Sequence, residues 1–502
     1  MRPPVPEPSP PRPGPAAPTA GPGPSGAAGR TAVVVGGGIA GTAAALALAD
    51  AGVRVTLTEA RPRLGGLAFS FHRASPAGDL TADNGQHVHL RCCTAYRALL
   101  DRIGAGGLAP VQHRLDVPVL DAARNRAGRL RRSALPVPLH LAGSLARYPH
   151  LSLAERAAAA RAALALRRLD PADPALDGTD FGGWLRRRGQ SPRAVEALWD
   201  LIGVATLNAP ADRASLALAA MVFRIGLLSA PGAADIGWSR VPLGDLHDTR
   251  TRRALADAGV RVLLRTRARA LHRPDAGSGG WRVAVTGALA GPETLTADTV
   301  VLAVPQDEAH RLLPDGALDD PGRLLEIGTA PILNLHVVYD RRVLRRPFLA
   351  ALGSPVQWVF DRTEPSGLTG GAQYLALSQS AAGDIIDLPV AELRRRFLPE
   401  LERLLPAARN ARVADFFVTR ERAATFDPAP GTGRLRPPAR TRAPGLHLAG
   451  AWTATGWPAT MEGAARSGAT AAAAALRHLR TVRTHPDPPP GPGRPAPRQE
   501  AA

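Results

Sequence analysis

Hydrophobic residues along this chain fall into strand-like and helix-like runs that alternate. Ala32–Val35 is an unbroken apolar run stopped by glycines, the pattern of a parallel strand buried on both faces. The Ala/Leu-rich stretch that follows reads as a helix, and Val53–Thr58 reads as a second strand. Further along, Leu243–Asp257 has the periodicity of a helix, while Gly259–Leu264, Trp281–Val285 and Thr299–Val304 read as strands. Leu446–Arg477 reads as a short strand, a turn, then a Gly/Ala-rich helix entered near Met461. Strands alternating with helices predict an α/β fold around a parallel sheet. The intervening stretches differ. Residues 119–235 are mostly helical in pattern, and 311–431 are mixed. Ser152 and Glu155 have capping-box spacing for a helix reaching Leu169 that carries Arg156, Arg161, Arg167 and Arg168. A solvated helix and a basic membrane-facing one both fit it.

The turn after the first strand carries the first chemistry. Gly36, Gly38 and Gly41 form G-x-G-x-x-G between strand and helix, and Glu59 ends the second strand, 18 residues beyond Gly41. In that context the three glycines serve a tight turn, a close backbone approach to a pyrophosphate, and close helix–strand packing. The helix N-terminus offers N–H donors to phosphate, and the carboxylate suits ribose hydroxyls. Arg61 and the pair Gly65-Gly66 follow at once. An arginine and a glycine pair so placed resemble flavoproteins of the amine oxidase and phytoene desaturase superfamily. The resemblance implies FAD, held by a Rossmann-like domain assembled from residues 31–118, 236–310 and 432–480, with Val262 among its contacts. Residues 119–235 and 311–431 would then form an interleaved, mixed α+β substrate domain.

Composition narrows the function. Residues 1–30 and 481–502 are Pro/Gly/Ala-rich and are expected to be disordered tails, the first without the apolar segment of a secretory signal. No apolar run reaches membrane-spanning length. The only cysteines, Cys92 and Cys93, fit a reducing cytoplasm, and an adjacent pair makes no tetrahedral metal site, so no metal is expected. The net charge is +19, carried entirely by arginine because the chain has no lysine. That absence excludes Schiff-base chemistry and the usual P-loop. Scattered basic residues and only 4% aromatics argue against nucleic-acid binding.

Two further stretches specify the family. Asp83-Asn-Gly-Gln-His-Val88 leads on to Arg91-Cys-Cys-Thr-Ala-Tyr96, and Gly450-Ala-Trp452 leads into Trp457-Pro-Ala-Thr-Met461-Glu-Gly. Together with Ser354–Arg362, these resemble the hydroxysqualene dehydroxylases over nearly all of residues 31–478. The resemblance implies reductive loss of the allylic hydroxyl of hydroxysqualene, giving squalene for hopanoid synthesis, with reduced FAD as hydride donor. It places Gly85, Gln86, Gly450, Trp452 and Met461 at the flavin, with Trp452 and Trp457 as walls of flavin or substrate, or as core. Candidates for the acid that helps the hydroxyl leave are His87, Asp83 and Tyr96, although Asp83 equally suits a loop anchor and His87 a structural role. A polyprenyl substrate implies an apolar tunnel, with Leu201–Leu207 and Leu216–Leu228 as candidate lining. It also implies peripheral attachment to the inner face of the cell membrane, and reduction by a separate protein. One departure stands out: Ala451 replaces the aspartate usual in the family, which is expected to weaken FAD retention without abolishing it. A carotenoid- or phytoene-type desaturase or isomerase, and a non-catalytic prenyl-lipid carrier with structural FAD, remain as alternatives.

Overall fold

The computed structural model describes residues 29–273, 280–288 and 291–481. The two expected tails therefore lie almost wholly outside the described residues. Five strands form a parallel sheet in the order Leu446–Leu448, Thr299–Leu302, Thr31–Val35, Arg54–Thr58, Arg261–Leu263. The strands expected from Ala32, Val53, Gly259, Thr299 and Leu446 onward are present in this sheet within two or three residues, whereas the one expected over Trp281–Val285 falls in a separate antiparallel sheet. Thr31–Val35 lies at the centre with Val33, Val34 and Val35 buried, which is why its apolar run is unbroken. The order reverses beside this strand, so its carboxyl end, at Gly36, is the switch point where α/β sheets bind ligands.

Helix Ile39–Asp50 crosses from the first strand to the second. Helix Met461–Thr481 lies against it so closely that a Cβ on Gly468 would sit 2.1 Å from the Ala40 carbonyl oxygen. The glycine is required because no side chain fits between the helices. The first and last helices of the described residues are thereby packed together beside the nucleotide turn. A three-stranded antiparallel sheet, Thr266–His272, Trp281–Gly287 and Gly291–Ala297, is inserted before the fourth strand.

The second sheet has seven strands, ordered Val413–Phe426, Thr329–Tyr339, Gln373–Gln379, Trp358–Asp361, Phe348–Leu352, Asp116–Asp121, Arg126–Arg131. The last two form a hairpin in a stretch expected to be mostly helical. Its cause is local: Asp116–Asp121 alternates half-buried and buried positions, a period of two, and Asn125 turns the chain at φ 46°. Helix Leu153–Arg167 begins with the expected capping box, Ser152 accepting from the Glu155 N–H while Glu155 accepts from the Ser152 N–H. Two of the helical stretches between the sheets are interrupted by wider π turns, Val195–Asp200 and Met221–Ile225. Such turns re-aim side chains and recur at functional sites.

Candidate functional site

The nucleotide turn is built by contacts that only glycine permits. A Cβ on Gly36 would lie 2.3 Å from the Ala303 carbonyl oxygen, and one on Gly41 would lie 1.9 Å from that of Gly36. Gly38 differs, since a Cβ there meets only the Gly66 Cα, at 3.8 Å. Gly38 and Gly66 face each other across a gap beside the start of helix Ile39–Asp50, which no side chain caps. Uncapped N–H groups with the positive end of the helix dipole make an anion site. The Glu59 carboxylate lies alongside, accepting from the N–H groups of Gly37 and Arg61 at 2.7 Å each. It retains lone pairs for ribose hydroxyls. Val262 lies on the edge strand, in register with Leu57. The implied FAD fits this cradle: the gap is open where a pyrophosphate must pass.

Arg61 contributes its backbone here and points its side chain to solvent. The guanidinium that holds the second glycine is that of Arg63. It donates to the Gly66 carbonyl at 2.8 Å and stacks 3.4 Å over Phe69. Arg63 was missed because the sequence pattern singles out the first arginine after the ribose acid.

The other end of the cofactor region is framed by the C-terminal motif. The N–H of Gly450, at φ 147°, donates to the Ser467 hydroxyl at 2.8 Å. Ala451 and the loop after it are held by Arg436, whose buried guanidinium donates to the carbonyls of Ala451, Thr453 and Trp457. Burial without a carboxylate contact lowers the Arg436 pKa to about 10. Trp452 is core rather than wall: it is buried among the central strands, and its indole N–H donates to the Val304 carbonyl at 2.9 Å. Trp457 is half-buried beneath the Arg466 guanidinium. Met461 opens the final helix, and the next residue, Glu462, is a second one that sequence reasoning missed. Its buried carboxylate accepts from the N–H groups of Ala95 and Tyr96 and from Arg466. It thus caps helix Thr94–Arg102 from 366 residues away.

The candidate acids occupy different roles. Asp83 is buried, and its oxygens accept from the Ser70 hydroxyl, the Leu243 N–H and the Arg362 guanidinium, at 2.7, 2.9 and 2.8 Å. Arg362 also donates to the carbonyls of Ser239 and Val241. The last residue of one sequence motif therefore clamps the first residue of another. The Tyr96 ring is buried in the core with its hydroxyl 3.1 Å from His247 Nε2, and burial raises its pKa. His87 Nδ1 lies 2.8 Å from the Gly85 carbonyl, and burial lowers its pKa, so it is neutral at pH 7 with Nδ1–H donating. None of the three side chains lines the large cavity described next, whereas Gln86 does.

His247 provides a pH test of this packing. Burial, reinforced by nearby His87, lowers its pKa to about 3. The unfolded chain binds a proton below about pH 6.5 and the folded chain does not, so stability present above that pH is lost as pH falls towards 3. At pH 5 this one ring costs about 2 kcal/mol. His247→Phe should therefore lose about 2 kcal/mol less unfolding free energy than the parent between about pH 7.5 and 5. Equal pH dependence in denaturant titrations would refute the assignment.

The cavity has a volume of about 360 Å³, within the range of small-molecule pockets. Leu201, Ile202, Ala205, Phe223, Leu227 and Leu228 line it, as expected for those helices, and the π turns add Leu198 and Trp199. Phe348, Trp358 and Phe360 close it from the seven-stranded sheet, while Gln86, Val88 and Leu90 close it from the side of the cofactor motif. Leu139 and Leu164 line it too, yet are 53% and 45% exposed, so the cavity opens to solvent between them. The few polar groups on the wall include the Gln86 carboxamide, whose buried oxygen has no partner among the described residues.

Comparison with known proteins gives the same architecture. The family of flavin-containing amine oxidoreductases matches residues 39–476. Hydroxysqualene dehydroxylase of Zymomonas mobilis is 28% identical over 454 residues, 89% of this chain and 99% of that protein. Its counterpart in Rhodopseudomonas palustris is 30% identical over 452 residues, 88% of this chain and 97% of that one. Among solved structures, cyclohexylamine oxidase from Brevibacterium oxydans superposes with a TM-score of 0.63 at 21% identity, covering 90% of this chain and 99% of its own, a likeness of fold.

Proposed function

We propose a specific reaction for this chain, which belongs to the hydroxysqualene dehydroxylases within the flavin-containing amine oxidoreductase family: reductive removal of the allylic hydroxyl of hydroxysqualene. The protein is an FAD-dependent oxidoreductase. Bound, reduced FAD supplies the hydride. The observation that carries the reading is a nearly all-hydrocarbon cavity whose wall, on the side of the cofactor motif, holds Gln86, a residue with a buried carboxamide oxygen that has no partner among the described residues.

The residues divide the work. The apolar wall takes the polyprene chain and excludes water, which would otherwise recapture an allylic cation as the C–O bond breaks. Gln86 meets the hydroxyl: its unpartnered oxygen accepts the O–H, and its amide N–H, held only loosely 3.3 Å from the His87 carbonyl, donates to the departing oxygen. The hydroxyl leaves as water; the proton it takes up and the hydride that replaces it would both come from the bound, fully reduced cofactor, which would end oxidised. Polarisation falls to Gln86 because Asp83 is saturated by three donors and Tyr96 is sealed against His247. Asp83 acts as the anchor of the loop. His87, through its Nδ1–H bond to Gly85, fixes the backbone on which Gln86 sits. Substrate enters from the inner membrane face at the Leu139–Leu164 opening, and a separate protein reductant restores the flavin.

Removing a preorganised donor from a dry site typically costs about 100-fold in rate. Gln86→Leu should therefore slow single-turnover hydride transfer by about 100-fold at unchanged flavin content. The parent reaction is tested by reducing the flavin anaerobically and adding hydroxysqualene. Flavin reoxidation matched one-to-one by squalene supports the reading. A flavin that stays reduced with hydroxysqualene, while phytoene is turned over by the oxidised enzyme, would transfer the assignment to desaturation.

A further inference from the structure

Beside the cavity opening lies a second, open cleft of opposite character. It is lined by the five arginines 114, 129, 131, 132 and 147, with Ser133, His140 and Ser144, and no carboxylate. Arg129 is paired with Asp116, and Arg132 with buried Asp235. Arg114, Arg131 and Arg147 have no carboxylate partner among the described residues. Three uncompensated guanidiniums thus share one concave surface.

The cleft and the apolar cavity have a wall in common. Ser144 lines both. Its hydroxyl accepts from the Arg131 N–H at 2.9 Å and donates to the Arg129 carbonyl at 3.1 Å, fixing helix Ala142–Ala146 to the strand that carries Arg129 and Arg131. Leu135 and Leu139, 52% and 53% exposed, project from the segment joining that strand to the helix. Exposed leucines and unpaired arginines therefore occur on one short stretch of chain.

From this arrangement we infer that residues 114–147 form a phosphate-headgroup site, which docks the cavity opening on an anionic phospholipid bilayer. The inference rests on the hydrocarbon-substrate reading above and adds the chemistry of the surface recognised. A free phosphate would use the guanidiniums but has no use for exposed leucines around an apolar opening. A lipid surface uses both: headgroup oxygens meet Arg114, Arg131 and Arg147 while Leu135 and Leu139 enter the acyl boundary. The opening then faces the hydrocarbon from which the substrate comes, and the polyprene passes between two apolar phases without crossing water.

The test uses the FAD-loaded protein without substrate, sedimented with vesicles of phosphatidylcholine alone or with roughly a third phosphatidylglycerol. The anionic vesicles should bind at least tenfold more tightly, and added salt should weaken the binding. Arg131→Glu/Arg147→Glu should lower that affinity at least tenfold, since each basic residue near the surface contributes about fivefold. Arg131→Gln/Arg147→Gln, which is milder on folding, should lie between. Arg253→Glu/Arg409→Glu, at two exposed positions outside the cleft, controls for the same change in net charge. An equal loss in the control, or equal binding to both vesicles, overturns the site. Inorganic phosphate that displaces the vesicles at micromolar concentration assigns the cleft to a soluble anion and overturns the bilayer as its occupant. Hydroxysqualene turnover in detergent is measured separately on the same preparations. In the parent protein, turnover without vesicle binding rejects only the docking site, and vesicle binding without turnover rejects only the reaction.

Discussion

Gly38→Val should give a folded protein that purifies without flavin, its FAD affinity lower by at least about 100-fold, whereas Gly41→Ala should damage the fold itself. The two glycines lie three residues apart in one motif and are kept for different reasons. Gly38 has φ −75° and ψ −179°, a conformation open to any residue, and its missing side chain points at no protein atom nearer than the Gly66 Cα at 3.8 Å. Valine is therefore tolerated by the protein. Its γ carbons extend into the gap between the uncapped helix and Gly66, where the pyrophosphate must lie. Losing contact with that helix end forfeits several charge-assisted hydrogen bonds at about 1.5–3 kcal/mol each, and two already amount to 100-fold or more. Gly41 has no such freedom. A Cβ there lies 1.9 Å from the Gly36 carbonyl oxygen, so helix and strand must part, at about 3 kcal/mol or more. Flavin absorbance per mole of protein, read beside the denaturant midpoint of the flavin-free form, separates the two. A yellow Gly38→Val protein would place the cofactor elsewhere.

Much of this site was legible in the sequence because it is local. A strand, a glycine turn, a helix and an acid fall within 30 residues, and their spacing is dictated by the reach of one βαβ unit. The cavity helices were legible as apolar runs. What could not be read is long-range pairing. Glu462 caps a helix 366 residues earlier, and Arg362 binds an aspartate 279 residues earlier, and no periodicity encodes either contact. Trp452 shows the opposite difficulty: a tryptophan in a cofactor motif has the same signature whether it faces a ligand or fills the core, and only the Val304 carbonyl beneath its N–H decides the matter. Gln86 was read as a cofactor contact from its place in the motif. The unpartnered carboxamide oxygen, on which the proposed role towards substrate rests, is a feature of the folded cavity wall and has no sequence pattern of its own.

Arg362→Leu should be among the most damaging single changes outside the nucleotide turn, costing about 3–5 kcal/mol of stability because it strands the buried Asp83 carboxylate without a cation. Both partners are almost fully sequestered, with side chains 4% and 8% exposed, so water does not replace the lost guanidinium. The ion pair joins the Asp83 loop, the Ser239–Val241 segment and the strand Trp358–Asp361, so the loop that positions Gln86 should loosen as well. Hydride transfer should therefore fall together with stability, even in protein saturated with FAD. Arg362→Lys should not rescue, because one ammonium cannot span the Asp83 carboxylate and two carbonyls that the planar guanidinium holds together. Asp83→Asn/Arg362→Leu should recover part of the loss, since removing both charges is cheaper than isolating one. The measurement is a double-mutant cycle in denaturant, repeated at high salt, which should barely change the coupling of a buried pair. Strict additivity of the two single substitutions would show that the clamp between the two motifs does not hold the site together.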